Sequence, residues 1–231
     1  MSRPGGRRGG RGERPVVPEA EFRSYYGRPV IRPPAWKTPD VPLYLFLGGL
    51  AGASATIAGL AEATGRPALA RAGILAAAGG AAAGTGVLIH DLGRPARFLY
   101  MLRTVKPTSP LNTGSWLLAS FATLAGAGAA AAVTGWLPRP GRLARAGAAL
   151  LGPLITTYTA VLVSDTAVPA WHEAHRELPY LFAGGSLVSG AAVGLLAAPR
   201  RETTRLPLVA VAGTAMELVG ERRITERLGM V

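Results

Sequence analysis

Residues 43–61 read LYLFLGGLAGASATIAGLA, nineteen consecutive positions without a charge. A helix of that length rises about 28 Å at 1.5 Å per residue. The hydrocarbon core of a bilayer is roughly 30 Å thick, so this stretch has the length and polarity of a transmembrane span. Uncharged runs recur at 72–89, 146–164 and 178–199, with 18, 19 and 22 residues. The run 107–138 is longer, and its apolar part begins near Trp116. Five such runs within 231 residues are hard to solvate in water. The predicted fold is therefore all-α: a polytopic transmembrane helical bundle with five full spans.

The predicted helices are 42–64, 67–90, 114–137, 142–164 and 177–198. A short or partial sixth covers about 206–220, where Glu217 ends the apolar pattern. Composition agrees with membrane packing. Apolar residues make up 49% and charged residues 16%, below the usual quarter, and there are 31 glycines. Gly48 and Gly52, and again Gly80 and Gly84, have the small-xxx-small spacing through which helices approach closely. Pro153 is a candidate kink in the fourth span.

Around the predicted bundle (42–220) lie three other segments. Residues 1–20 form an Arg/Gly-rich tail of disordered composition. Its arginine pair, Arg7-Arg8, is followed by no apolar segment, so no signal peptide is expected there. Residues 21–41 mix proline, cations and aromatics, with Tyr25, Tyr26 and Trp36 suited to the headgroup level. Residues 221–231 form a basic C-terminal segment. The chain has no cysteine, so it holds no thiolate metal site or iron–sulfur cluster of its own.

The net charge is +12. The arginines sit in the tail and between apolar runs, which points to membrane topogenesis rather than nucleic acid. The RGG-like texture of the tail is also that of RNA-binding segments, but a charge run is ordinarily a solvated face. Alternating spans sort the loops onto two sides. The first side takes the N-terminal segment and the loops 91–113 and 165–176. It carries 14 cations against 8 on the second, but only 5 without the N-terminal segment. The positive-inside rule thus points both ways, and orientation stays open.

The first side holds the polar chemistry. The second span ends in VLIHDLGRPARFLYMLR, residues 87–103. Gly93 and Pro95 supply a helix stop, and Arg94 a charge suited to the C-terminal dipole. A cap needs neither His90 nor Asp91, however. A second polar insertion, SDTAVPAWHEAHRELP at 164–179, brings His172, Glu173 and His175. The two histidines are three apart rather than four, no third ligand is evident, and no metal site is expected.

These segments resemble the polysulfide reductase NrfD-like family. The resemblance rests on IHDLGRPARFLYMLRTVKPTSPLNTGSW, on SDTAVPAWHEAHRELPYLFAGGS and on LYLFLGGLAGAS in the first span. It extends over about residues 22–231. The family likeness implies a membrane subunit that exchanges electrons and protons with a quinone or quinol, menaquinone being the expected type. It implies a ferredoxin-like iron–sulfur subunit and a molybdopterin oxidoreductase subunit as partners, which carry the clusters and molybdopterin. It also implies residence in the cell membrane. Family members usually have eight or more spans, so this chain is expected to be shortened at its C-terminus.

Within that role, His90, Asp91, Tyr44, Asn112, Trp116, His172 and Glu173 are the quinone and proton-transfer candidates. Quinone reduction takes up two electrons and two protons. It needs hydrogen-bond partners for the ring carbonyls and a proton route to water. Arg94, Arg97, Arg103 and Lys106 are candidates for docking the partner. Two other roles compete: a passive anchor without its own quinone site, and a transporter or proton channel. A transporter would favour inverted repeats and ionisable groups near the midplane. Neither is evident in the sequence.

Overall fold

The computed structural model describes residues 36–94 and 96–229. Tyr25, Tyr26, Pro95 and the tail 1–20 lie outside the described residues. Among the described residues eight helices follow in chain order: α1 (Asp40–Ala63), α2 (Pro67–Asp91), α3 (Ala96–Met101), α4 (Pro110–Thr134), α5 (Pro138–Ser164), α6 (Pro169–Glu173), α7 (Leu178–Ala197) and α8 (Leu206–Arg227). Five of them, α1, α2, α4, α5 and α7, are long and apolar enough to cross a membrane. The protein is an all-α polytopic bundle, as the uncharged runs predict.

Helix α1 is the centre, packed against α2, α5 and α7. From Gly48 to Ala61 its buried positions are all Gly, Ala or Ser apart from Ile57. Small side chains let three neighbours close on one helix at once. The tightest approach is to α5, where a Cβ on Gly52 would stand 2.6 Å from the Gly152 carbonyl oxygen. The Thr56 hydroxyl bridges this contact, donating to the Gly52 carbonyl at 3.0 Å and to the Ala149 carbonyl of α5 at 3.4 Å. On the other flank Gly80 and Gly84 of α2 turn to α1, as their spacing suggests. Gly48 does not share this role, because a Cβ there would meet nothing within 4 Å. Phe121 of α4 and Ile74 of α2, both fully buried, fill the space between the small residues.

Helix starts differ from the sequence reading. Helix α4 begins at Pro110, a turn early, because Ser109 caps it and proline is preorganised for the first helical position. Helix α5 begins at Pro138 and continues through Pro153, whose carbonyl accepts the Thr156 and Thr157 hydroxyls at 2.8 and 2.9 Å.

The sixth predicted helix is not short. Helix α8 has 22 residues and runs antiparallel to α7 along its whole length, with Leu206 against Gly194, Gly213 against Gly184 and Gly220 against Leu181. Its second half carries Glu217, Glu221, Arg222, Arg223, Glu226 and Arg227, which ended the apolar pattern without ending the helix. The ion pair of Arg227 with Glu177, at 3.0 Å, ties this charged end to the start of α7 on the first side.

The second side is held by two acids. Glu62 takes a bidentate hydrogen bond from Arg145, at 2.6 and 2.8 Å. Glu202, buried in the α7–α8 loop, accepts the Leu69 backbone N–H at 2.8 Å. It satisfies a free donor in the first turn of α2, where the helix dipole favours a carboxylate.

Candidate functional site

Every described candidate from the sequence lies at or near the first side, but the pairings differ from sequence adjacency. His90 does not meet Asp91. Its Nδ1 is 2.7 Å from Oδ2 of Asp40, in the first turn of α1. Consecutive residues on a helix point about 100° apart, so His90 and Asp91 diverge. A carboxylate on Nδ1 keeps a proton there and presents Nε2 as a proton acceptor. The imidazole is largely exposed, while Asp40 is mostly covered. Asp91 instead meets Lys37: the Lys37 backbone N–H approaches Oδ1 at 3.4 Å, and the Lys37 ammonium donates to the Asp91 carbonyl at 3.1 Å. That cation meets a free carbonyl at the C-terminal end of the helix, where the dipole favours a positive charge.

Gly93 follows with φ +69°, the left-handed turn expected at the helix end. Arg97 completes the cap by donating to the Leu92 carbonyl at 3.3 Å.

Tyr44 sits four residues after Asp40, on the same face of α1 and about 6 Å deeper into the bundle. It is buried, next to Gly84 of α2 and near Tyr158 of α5. The Tyr158 ring in turn occupies the space a side chain at Gly114 of α4 would need. A column of polar groups therefore descends from the exposed imidazole to two enclosed phenols.

Asn112 and Trp116 serve the adjoining loop. The Asn112 amide donates to the carbonyls of Met101 and Thr104 at 2.7 and 2.9 Å, and its oxygen accepts the Lys106 backbone N–H at 2.6 Å. Trp116 donates to the Thr104 carbonyl at 3.2 Å. Both amide hydrogens and the indole N–H are engaged in shaping residues 101–106. This fixed loop and α3 display Leu99, Tyr100 and Val105, all more than half exposed, among Arg94, Arg97, Arg103 and Lys106. The Arg103 guanidinium lies 5.9 Å from the centre of the Tyr100 ring.

The second polar insertion folds over the same side. His172 Nδ1 is 3.2 Å from the Ser164 carbonyl, and His175 Nδ1 is 2.9 Å from the His172 carbonyl. Their rings are 6.1 Å apart, and Glu173 is exposed beside them. Among the described residues no three His, Cys, Asp or Glu side chains stand together as a metal site. Trp36 stacks on Trp171 at 5.6 Å, so the five residues 36–40 reach α6 through Trp36 and the end of α2 through Lys37 and Asp40.

Three further polar groups escaped the sequence reading. Asp40 lay in a proline-rich segment taken to precede the first helix. Tyr158 was one hydroxyl in an apolar run. Glu217 was read only as a helix end, yet it lines a groove of about 380 Å³ between α1, α7 and α8, against Gly184 and Gly185. A carboxylate at that depth is costly unless it faces a cavity or a partner.

No curated protein and no solved structure matches the chain. The family model described as polysulphide reductase, NrfD, matches residues 32–219, about four-fifths of the chain. The chain thus belongs to the NrfD polysulphide reductase family, membrane subunits of respiratory oxidoreductase complexes.

Proposed function

We propose that the protein is the quinone-reactive subunit of such a complex, and that it anchors an iron–sulfur electron-transfer subunit on its first side. The observation that carries this reading is the His90–Asp40 pair above buried Tyr44. An exposed imidazole with its Nδ1 proton held by a carboxylate can pass a proton between water and a quinol oxygen, and Tyr44 lies one turn further in. Redox chemistry is supplied by the quinone and by clusters on the partner. This chain binds, orients and moves protons.

The displayed surface of α3 and residues 103–106 supports the anchoring role. Exposed apolar side chains among four cations suit an interface with an acidic protein surface. On this reading a ferredoxin-like subunit docks there, a molybdopterin subunit sits beyond it, and the bundle resides in the cell membrane. A menaquinone-type quinol is the first substrate to test.

In the assembled complex, His90→Ala should abolish quinol-linked turnover while the partner stays bound. Unchanged turnover would remove His90 from the mechanism and leave the passive anchor. Crosslinks from residues 96–106 to another subunit are expected. Crosslinks arising only from the second-side loops would overturn the docking assignment.

A further inference from the structure

The second-side ends of α1, α2, α4 and α5 line an open cavity of about 410 Å³, at the opposite end of the bundle from His90. Four arginines line it, and the one carboxylate among its walls is Glu62. Arg145 neutralises Glu62 through the bidentate pair, which leaves Arg66, Arg71 and Arg142 facing the cavity. Among the described residues none of these three has an ion-pair partner. Planar guanidiniums in such a cluster match the oxyanions of a phosphate, which they bind in bidentate fashion.

The rest of the cavity argues against a free anion. Ile74, two turns inside α2, and Ala131 and Ala132, in the last turn of α4, form an apolar wall. Below Arg71, the exposed face of α2 runs towards the bilayer centre through Leu75, Gly79 and Ala82. Their spacing of four, four and three residues from Arg71 keeps them on one helix face with it. Trp136, 78% exposed, stands at the same end, where interfacial tryptophans sit. Cations at the headgroup level above an apolar lane are what an acidic phospholipid requires.

We propose that this cavity is a headgroup site for an acidic phospholipid. Arg66, Arg71 and Arg142 hold its phosphate, and its acyl chains lie along the Leu75–Gly79–Ala82 face of α2. The site is on the side opposite His90, so it is separate from the quinol chemistry.

The full chain, purified in detergent, can be mixed with phosphatidylglycerol or phosphatidylcholine and the retained lipid counted by native mass spectrometry. Phosphatidylglycerol should be retained in preference, and the preference should fall about fivefold for each of Arg66→Gln, Arg71→Gln and Arg142→Gln. Arg222→Gln with Arg223→Gln, at the other end of the bundle, should leave it unchanged. Millimolar inorganic phosphate should not displace the lipid. Equal retention of the two lipids would overturn the proposal. So would a preference that survives the three substitutions, or one lost equally with Arg222 and Arg223. Displacement by inorganic phosphate would assign the cavity to a free anion and overturn the lipid assignment.

Discussion

His90 at the end of α2 and Asp40 at the start of α1 are fifty residues apart and meet at 2.7 Å. The contact joins the two helices at the first side and orients the imidazole. Asp40 is mostly covered and His90 is not, so the acid holds a ring whose other nitrogen faces outward. The neighbouring Lys37 occupies Asp91, which keeps the two carboxylates on separate tasks.

That division of labour is testable. Asp40→Asn preserves the size of the side chain but removes the charge that retains the Nδ1 proton. Positioned acid–base groups contribute about 100-fold or more, so quinol-linked turnover should drop by at least about tenfold when the orienting charge goes. Asp91→Asn, which loses only a long contact to the Lys37 N–H, should stay close to wild type. Turnover of the two variants in the assembled complex decides between them. The reverse order would return the proton role to Asp91.

Asn112 should act on docking rather than on quinol chemistry. Asn112→Leu removes three hydrogen bonds that shape residues 101–106, each worth about 1 kcal/mol. The open population of this loop should rise by up to about 100-fold, while the helices keep their stability. Trypsin cleavage after exposed Arg103 should accelerate, and crosslinks from the loop to the partner should decline. Cleavage at the wild-type rate would show that the loop is held by other contacts.

Spans were legible from sequence because nineteen uncharged residues leave one physical solution in a bilayer. Their ends were not: the predicted starts at 114 and 142 pass over the prolines, whereas Ser109 caps a helix that begins at Pro110 and another begins at Pro138. The polar edge was legible as a set of residues on one side. Its pairings were not, since sequence adjacency favoured Asp91 for His90 while the helix turn sends them apart. Asp40 against His90 and Trp36 against Trp171 depend on how distant helices dock, which no local pattern encodes. Helix α8 was cut short for a related reason. Its charged half is stabilised by docking on α7, not by its own apolarity.

The antiparallel pairing of α7 and α8 can be checked covalently. A Cβ built on Gly220 stands 3.4 Å from Cβ of Leu181, near the separation a disulfide requires. The chain has no cysteine, so Leu181→Cys with Gly220→Cys should give one bond on a clean background. Adding Gly213→Val should suppress it. A Cβ on Gly213 would lie 2.6 Å from the Gly184 carbonyl oxygen, and overpacking of this kind costs about 1–3 kcal/mol. Efficient crosslinking of the triple variant would mean that the helices meet in another register.

The Glu62–Arg145 pair ties α1 to α5 at the second side, with side chains 32% and 17% exposed. An exposed pair is worth at most about 1 kcal/mol, whereas breaking a buried one costs about 3 kcal/mol or more. Glu62→Gln should fall between these limits, because it leaves the Arg145 guanidinium enclosed with no counter-charge while Arg142 stands nearby. Arg145→Met should cost less, because Arg142 remains near the carboxylate as a partial counter-charge. Combining the two removes both charges and fills the space with an apolar chain, so the double variant should regain much of the loss. Unfolding in mixed micelles supplies the four corners of the cycle. Strictly additive losses would mean that the two side chains contribute separately, and that the short distances between them do little to hold α1 against α5.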